Sequence, residues 1–196
     1  MKRIAQWVAL WLAIISVLVF MTILSTLITF PVYAHMDDLP QIAVMSLGRL
    51  YQNYLQLMAY LNLPWVGTLH MNDFPTSVHG AIHFADVRHL FLFDIGVAVV
   101  TVPFAVRWLH QLRITRKRYL LVRPFMIGAV VPVVLTAILA VNFDQFFITF
   151  HEVLFRNSDW LFDPATDPII NVLPEGFFML CFLTAFALFE AVMIWG

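Results

Sequence analysis

The sequence predicts an all-α integral membrane protein. It has four transmembrane helices and an extracellular, mostly helical cap formed by two long loops, with residues 1–196 as a single membrane domain. Three observations lead there. Of 196 residues, 62% are hydrophobic and only 12% charged, with a mean hydropathy of +0.86, whereas a soluble domain carries roughly 45–50% apolar and about 25% charged residues. Four stretches, residues 4–30, 90–109, 119–142 and 176–195, reach the roughly 20 apolar residues that a helix needs to cross a bilayer. Charge is also sorted: Lys2, Arg3, Arg107, Arg113, Arg116, Lys117, Arg118 and Arg123, eight of the eleven Lys and Arg, flank the first span or the turn between the second and third. The positive-inside rule puts these, and both termini, on the cytoplasmic side. Ten of the twelve acids fall in the two long connections, residues 31–89 and 143–175, which therefore face outside.

Taken in order, the first span has a basic start, and Val32-Tyr33-Ala34 resembles a signal-peptidase site. Its apolar run exceeds the usual 7–15-residue core of a signal peptide, so it reads as a retained anchor. From Gln41 to Leu63 neither proline nor acid interrupts a mostly apolar helix carrying Arg49, Asn53 and Gln56, suited to an interface or a cap. After Pro64 the chain turns irregular, as Gly67, Pro75 and Gly80 suggest. A helix from His83 into the second span puts His83, Asp86 and Asp94 on one polar stripe and turns His89 some 120° away. An ionisable residue as deep as Asp94 marks a candidate functional group or an interhelical hydrogen bond.

The third span is expected to continue outward as a helix with Asp144 and His151 on one face, ended by Asn157 or Ser158. Asp163-Pro164 reads as N-cap and first residue of a short helix, and Leu173-Pro174-Glu175 opens the fourth span. Gly196 follows the last apolar run directly, so either no cytoplasmic tail is expected or the sequence is cut there.

Several classes are excluded or weakened. A net charge of −1 without a long basic run argues against nucleic acid as a partner. A single cysteine, Cys181, precludes an intramolecular disulfide and reads as an inert buried thiol. A membrane metalloenzyme using His83, Asp86, His151 and Asp163 is a rival reading, although no HExxH or comparable ligand motif occurs. A non-catalytic membrane scaffold is the other.

Two motifs narrow the choice. The first is His83-x2-Asp86-Val87-Arg88-x-Leu90-Phe91. The second runs from Phe150-His151 through Phe155, Asn157, Trp160-Leu161, Asp163-Pro164, Asp167 and Ile169-Ile170 to Pro174-Glu175 and Phe177-Phe178. Together they resemble the bacterial lipoprotein intramolecular transacylase family, Lit, over essentially the whole chain. The pattern departs at Leu154 and Ser158, where the family favours Phe and Asp.

The resemblance implies a multi-pass protein of the bacterial cell membrane that acts on diacylglyceryl-modified lipoproteins among membrane lipids. The acyl chain at the sn-2 position moves to the α-amino group of the N-terminal cysteine, giving the lyso form. It further implies that His83 and His151 are catalytic, at the extracellular face. An ester becoming an amide needs no nucleotide, and no P-loop or dinucleotide fingerprint is present, so neither cofactor nor metal is expected. An α-amine with an ordinary pKa near 7.7–8.0 must lose one proton, which a histidine can accept.

We assign His151 as base and His83 as acid or oxyanion partner, with the reverse split open. Asp86, or a carboxylate of the second motif (Asp159, Asp163, Asp167 or Glu175), fixes a tautomer as in a triad. Arg88 or Arg156 meets an anionic headgroup or a developing oxyanion, or else pairs with outer acids. Asn157 supports the second motif, and Trp160 and Trp65 line the acyl entry or sit in the interfacial belt.

Overall fold

The computed structural model describes residues 2–195, and among these the chain is helical without a strand. Helix α1 spans Lys2–Met36, α2 Leu39–Ile42, α3 Leu47–Asn62, α4 Val78–Ile114, α5 Tyr119–Val141 and α6 Phe143–Leu154. A 3-10 helix covers Pro168–Val172, and α7 spans Glu175–Trp195. Helices α1, α4, α5 and α7 are long and apolar enough to cross a membrane. Prolines stand inside three of them: Pro31 in α1, Pro103 in α4, and Pro124 and Pro132 in α5. Spanning helices tolerate this because neighbouring groups satisfy the freed carbonyls.

At 1.5 Å per residue, α1 and α4 extend roughly 50–55 Å, well beyond a hydrocarbon core of about 30 Å. In α4 the excess lies before the apolar run that begins at Leu90, and that leading stretch carries His79, His83, Asp86 and Arg88.

The chain forms two compact units. One comprises Met1–Thr22, Phe93–Asn142 and Cys181–Gly196, the other Ile23–Leu92 and Phe143–Leu180. The first is an apolar bundle whose core includes Leu10, Ala13, Ala105, Trp108, Leu121, Phe125 and Met193. Gly128 on α5 permits close approach there, because a Cβ would lie 2.8 Å from the Met193 sulfur and 2.9 Å from the Trp11 ring.

In the second unit the Phe30 ring of α1 stacks on Tyr54 of α3 at 3.8 Å, and Phe177 of α7 packs edge-on against Phe30 at 5.3 Å. The Tyr54 hydroxyl donates to Thr26 Oγ1 at 2.6 Å, and the Tyr51 hydroxyl to the Leu27 carbonyl at 2.7 Å. These bonds pair both tyrosine hydroxyls where α3 packs against α1.

The expected single helix over 41–63 is broken. Val44 takes a left-handed backbone at φ 52°, and Ser46 is extended and caps α3, its hydroxyl accepting from the Arg49 amide. Stop and start fall within four residues, and a run free of proline and acids conceals them. The helix expected to continue the third span is likewise separate. Asn142, extended at φ −160°, ends α5, and α6 starts afresh at Phe143. Helix α6 ends at Leu154, ahead of Asn157 and Ser158. The short helix is also displaced, since Asp163 closes only a turn in which its Oδ1 accepts from the Ala165 amide. Asp167-Pro168 opens the 3-10 helix instead.

The segment after α3 is irregular in path but pinned. Asn53, 1% exposed, donates to Asp73 Oδ2 at 2.7 Å and accepts from the Asp73 amide at 2.9 Å. Arg49 forms a bidentate pair with the same carboxylate, and with Asn53 it holds the Asp73 carboxyl below its ordinary pKa. Asn53→Ala leaves the Asp73 amide without its acceptor and takes one donor from a carboxylate that Arg49 still holds, so it is expected to destabilise the folded protein by about 1–3 kcal/mol. A lowered thermal midpoint in detergent and protease cleavage within residues 63–77 check this.

Candidate active site

Two sequence-distant histidines meet in the second unit. Ser77 begins the arrangement as N-cap of α4, its hydroxyl accepting from the Gly80 amide at 2.9 Å. The Ser77 amide in turn donates to the buried Asp167 carboxylate at 2.8 Å, and the Thr166 hydroxyl donates to it at 2.9 Å. Burial raises the Asp167 pKa, but the bonds from Ser77 and Thr166 outweigh burial and the net direction is down. This anchors the turn of α4 from which His83 projects.

The His83 and His151 rings lie 5.9 Å apart, centroid to centroid. Phe155 and Phe162 meet His83 edge-on at 4.8 and 5.4 Å. Phe147 and Trp160 flank His151 at 4.1 and 4.9 Å. The imidazoles thus share a predominantly aromatic pocket.

Their hydrogen bonding differs in a way that matters chemically. His151 Nδ1 lies 2.8 Å from the carbonyl of Phe147, one turn back on α6. In neutral imidazole that contact puts the proton on Nδ1 and leaves the Nε2 lone pair available. His83 is 8% exposed, and its buried Nδ1 has no hydrogen-bond partner. Burial, reinforced by the neighbouring His151 and partly offset by Asp86 and Asp159, lowers the His83 pKa from 6.5 to about 4. Burial lowers that of His151 too, opposed by the Phe147 carbonyl. Both rings are therefore neutral at pH 7.

This has a measurable consequence. An unfolded chain binds a proton at His83 below pH 6.5, whereas the folded chain resists until about pH 4. Stability is thus fully present above pH 6.5 and falls as pH drops through that window, by about 3 kcal/mol from this residue. Thermal midpoints of the solubilised protein from pH 7 to 4 are expected to show the fall, and His83→Gln to flatten it.

The supporting residues divide. Asp86 does not bond either imidazole: its Oδ2 accepts from Asn157 Nδ2 at 3.0 Å, so the expected carboxylate clamp on a histidine tautomer is replaced by the Phe147 carbonyl. The Asn157 carbonyl accepts from Trp160 Nε1 at 3.1 Å. Asp86, Asn157 and Trp160 thereby form a strut that holds the indole against His151. Trp160 sits on the catalytic candidate and Trp65 is 77% exposed.

Arg88 bonds the carbonyls of Tyr60, Leu63 and Pro64 at the end of α3 and lies over the Tyr60 ring. It secures a helix terminus, and neither an outer acid nor the pocket is its partner. Arg156 is exposed. Asp159 Oδ1 pairs with His79 Nδ1 at 2.5 Å. Glu175 and Asp144 hydrogen-bond each other, so Asp144 faces a carboxyl and not His151. Asp94 belongs to the first unit, where Ser16 bonds its carboxylate. Among the described residues no three metal-donor side chains gather, so the set His83, Asp86, His151 and Asp163 is not assembled.

The sequence reading missed His79, Phe147 and Phe162, and gave Phe155 only as a position of the second motif. His79 was detectable as the residue one turn before His83. The Phe147 carbonyl offers no signal in side-chain spacing.

Helices of bilayer length and paired neutral imidazoles in an aromatic pocket define a membrane-integral protein with a candidate site for proton transfer. The family described as lipoprotein intramolecular transacylase Lit matches residues 4–178. The chain belongs to this family of acyltransferases. The in meso structure of the membrane-integral transacylase Lit from Bacillus cereus superposes with a TM-score of 0.90 at 27% identity, over 99% of this chain and 91% of that one. Two structures of the same Bacillus cereus protein, with one histidine changed to arginine or to alanine, give TM-scores of 0.79 at 27% identity. They cover 99% of this chain and 88% and 89% of theirs. No curated protein matches the chain.

Proposed function

We propose that the enzyme moves the sn-2 acyl chain of a diacylglyceryl-modified lipoprotein to the α-amino group of its N-terminal cysteine, using His151 as general base. The meeting of His83 and His151 within 5.9 Å in a predominantly aromatic pocket carries this reading. The substrate amine attacks the ester carbonyl while its proton passes to His151 Nε2. Collapse of the tetrahedral intermediate breaks the bond to the glyceryl oxygen, which takes the same proton back from His151.

His83, neutral at working pH, acts through an N–H bond to the oxyanion and not as an imidazolium acid, as its low pKa requires. Nucleophile and ester belong to one molecule, so holding them in contact supplies much of the acceleration. Arg156 remains available to an anionic headgroup. The distribution of basic residues supports cytoplasmic termini and a site at the extracellular face.

The reaction is an isomerisation, so total mass does not change. The test is fragmentation of the N-terminal lipopeptide from cells making diacylated lipoproteins, with and without the enzyme. The acyl chain is expected on nitrogen with one ester left on glycerol; two intact esters with the enzyme present would reject the assignment.

A further inference from the structure

Where α1 begins, α4 ends and α5 begins, the first unit contains a cavity of about 360 Å³ that the acyl transfer leaves unused. Arg3, Gln6 and Trp7 of α1 line it together with Trp108 and Gln111 of α4 and Lys117 of the following turn. Its placement of Lys117 is built in. Arg116 adopts a left-handed backbone at φ 55°, and the Lys117 amide returns to the Leu112 carbonyl at 2.8 Å while the Arg116 amide returns to that of Arg113 at 3.2 Å. Such a paired closure is a rigid helix stop. The floor is equally defined, with Trp7 and Trp108 packed edge to face at 4.8 Å.

The charge balance of the cavity is one-sided. The described residues of this unit include two acids, Asp94 and Glu190, and neither lines the cavity. Two cations and two amides thus converge on a half-open recess without an internal counter-charge. A phosphate group supplies the missing charge and several acceptors, and basic recesses between spanning helices suit such headgroups. The indoles suit the glycerol and upper acyl region. We propose that this cavity binds the phosphate headgroup of an anionic glycerophospholipid.

The test titrates the full-length protein in neutral dodecyl maltoside micelles with phosphatidylglycerol, phosphatidylcholine or inorganic phosphate. Native mass spectrometry and tryptophan fluorescence provide the readouts. Phosphatidylglycerol is expected to bind saturably and in preference to phosphatidylcholine. At about 1 kcal/mol per cation, Arg3→Gln or Lys117→Gln should weaken binding about fivefold, and the double variant about thirtyfold. Arg107→Gln/Arg118→Gln removes the same charge outside the cavity and should bind as the parent does. Should the first double variant not fold, Gln111→Glu retains both cations, introduces a repelling carboxylate and should show the same loss. Equal losses in both double variants would reduce the effect to a diffuse basic surface. An unchanged affinity in the cavity variants would overturn the site, and inorganic phosphate matching the lipid would overturn the lipid as its occupant.

Discussion

Replacing His151 with alanine is expected to lower the rate of acyl transfer by about 10²–10⁴-fold, the span that a positioned base contributes, while the protein still folds. The ring is only half-buried, so its loss leaves no large cavity. The pH profile separates a base from a structural residue. In His151→Ala the attacking nitrogen must give its proton to water or hydroxide, so residual activity should keep climbing with pH above the amine's ordinary range near 7.7–8.0, where the parent levels off.

His83→Ala should cause a comparable loss without that recovery, because a missing oxyanion donor is not replaced at high pH. Its buried ring makes stability an additional casualty, and His83→Gln limits this. In vitro conversion of a diacylated lipopeptide, scored by amide formation, provides the measurement. Parental rates in both alanine variants would remove the histidines from the mechanism.

The second large effect is expected one turn before His83, at Gly80. A Cβ there would lie 2.2 Å from Asp167 Oδ1 and 3.0 Å from its carboxyl carbon. Asp167 has little freedom to retreat, because the Ser77 amide and Thr166 hydroxyl hold it and it is 2% exposed. Gly80→Ala must therefore displace the start of α4 or drive a buried carboxylate from its donors. Overpacking and lost polar satisfaction together imply a cost of about 3 kcal/mol.

Activity should fall further than stability alone explains, since His83 lies three residues along the same turn. Asp167→Ser removes the obstructing oxygen, so Gly80→Ala should cost less in that background than in the parent. Denaturation of the four proteins tests this, and additive costs would show that the two residues are not in steric conflict.

Elements set by composition were legible in the sequence. Residues 119–142 and 176–195 were expected to span, and α5 and α7 occupy Tyr119–Val141 and Glu175–Trp195, because an apolar run bounded by polar residues defines its own ends. The break between α2 and α3 was not legible, because it depends on the left-handed backbone of Val44, a β-branched residue that rarely adopts it.

The site divides in the same way. The two histidines stand out because each lies in a dense polar motif. Asp86 is expected on the face of His83, and its partner proves to be Asn157, since helical phase specifies a direction and not who arrives from a distant segment. The rings of Phe147 and Phe162 are indistinguishable by sequence from the many lipid-facing aromatics.

The bond between His151 and the Phe147 carbonyl makes the candidate base self-contained. Donor and acceptor sit four residues apart on one helix, so any tilt or slide of α6 carries the ring and its tether together. A displacement of that helix therefore leaves unchanged which nitrogen holds the proton.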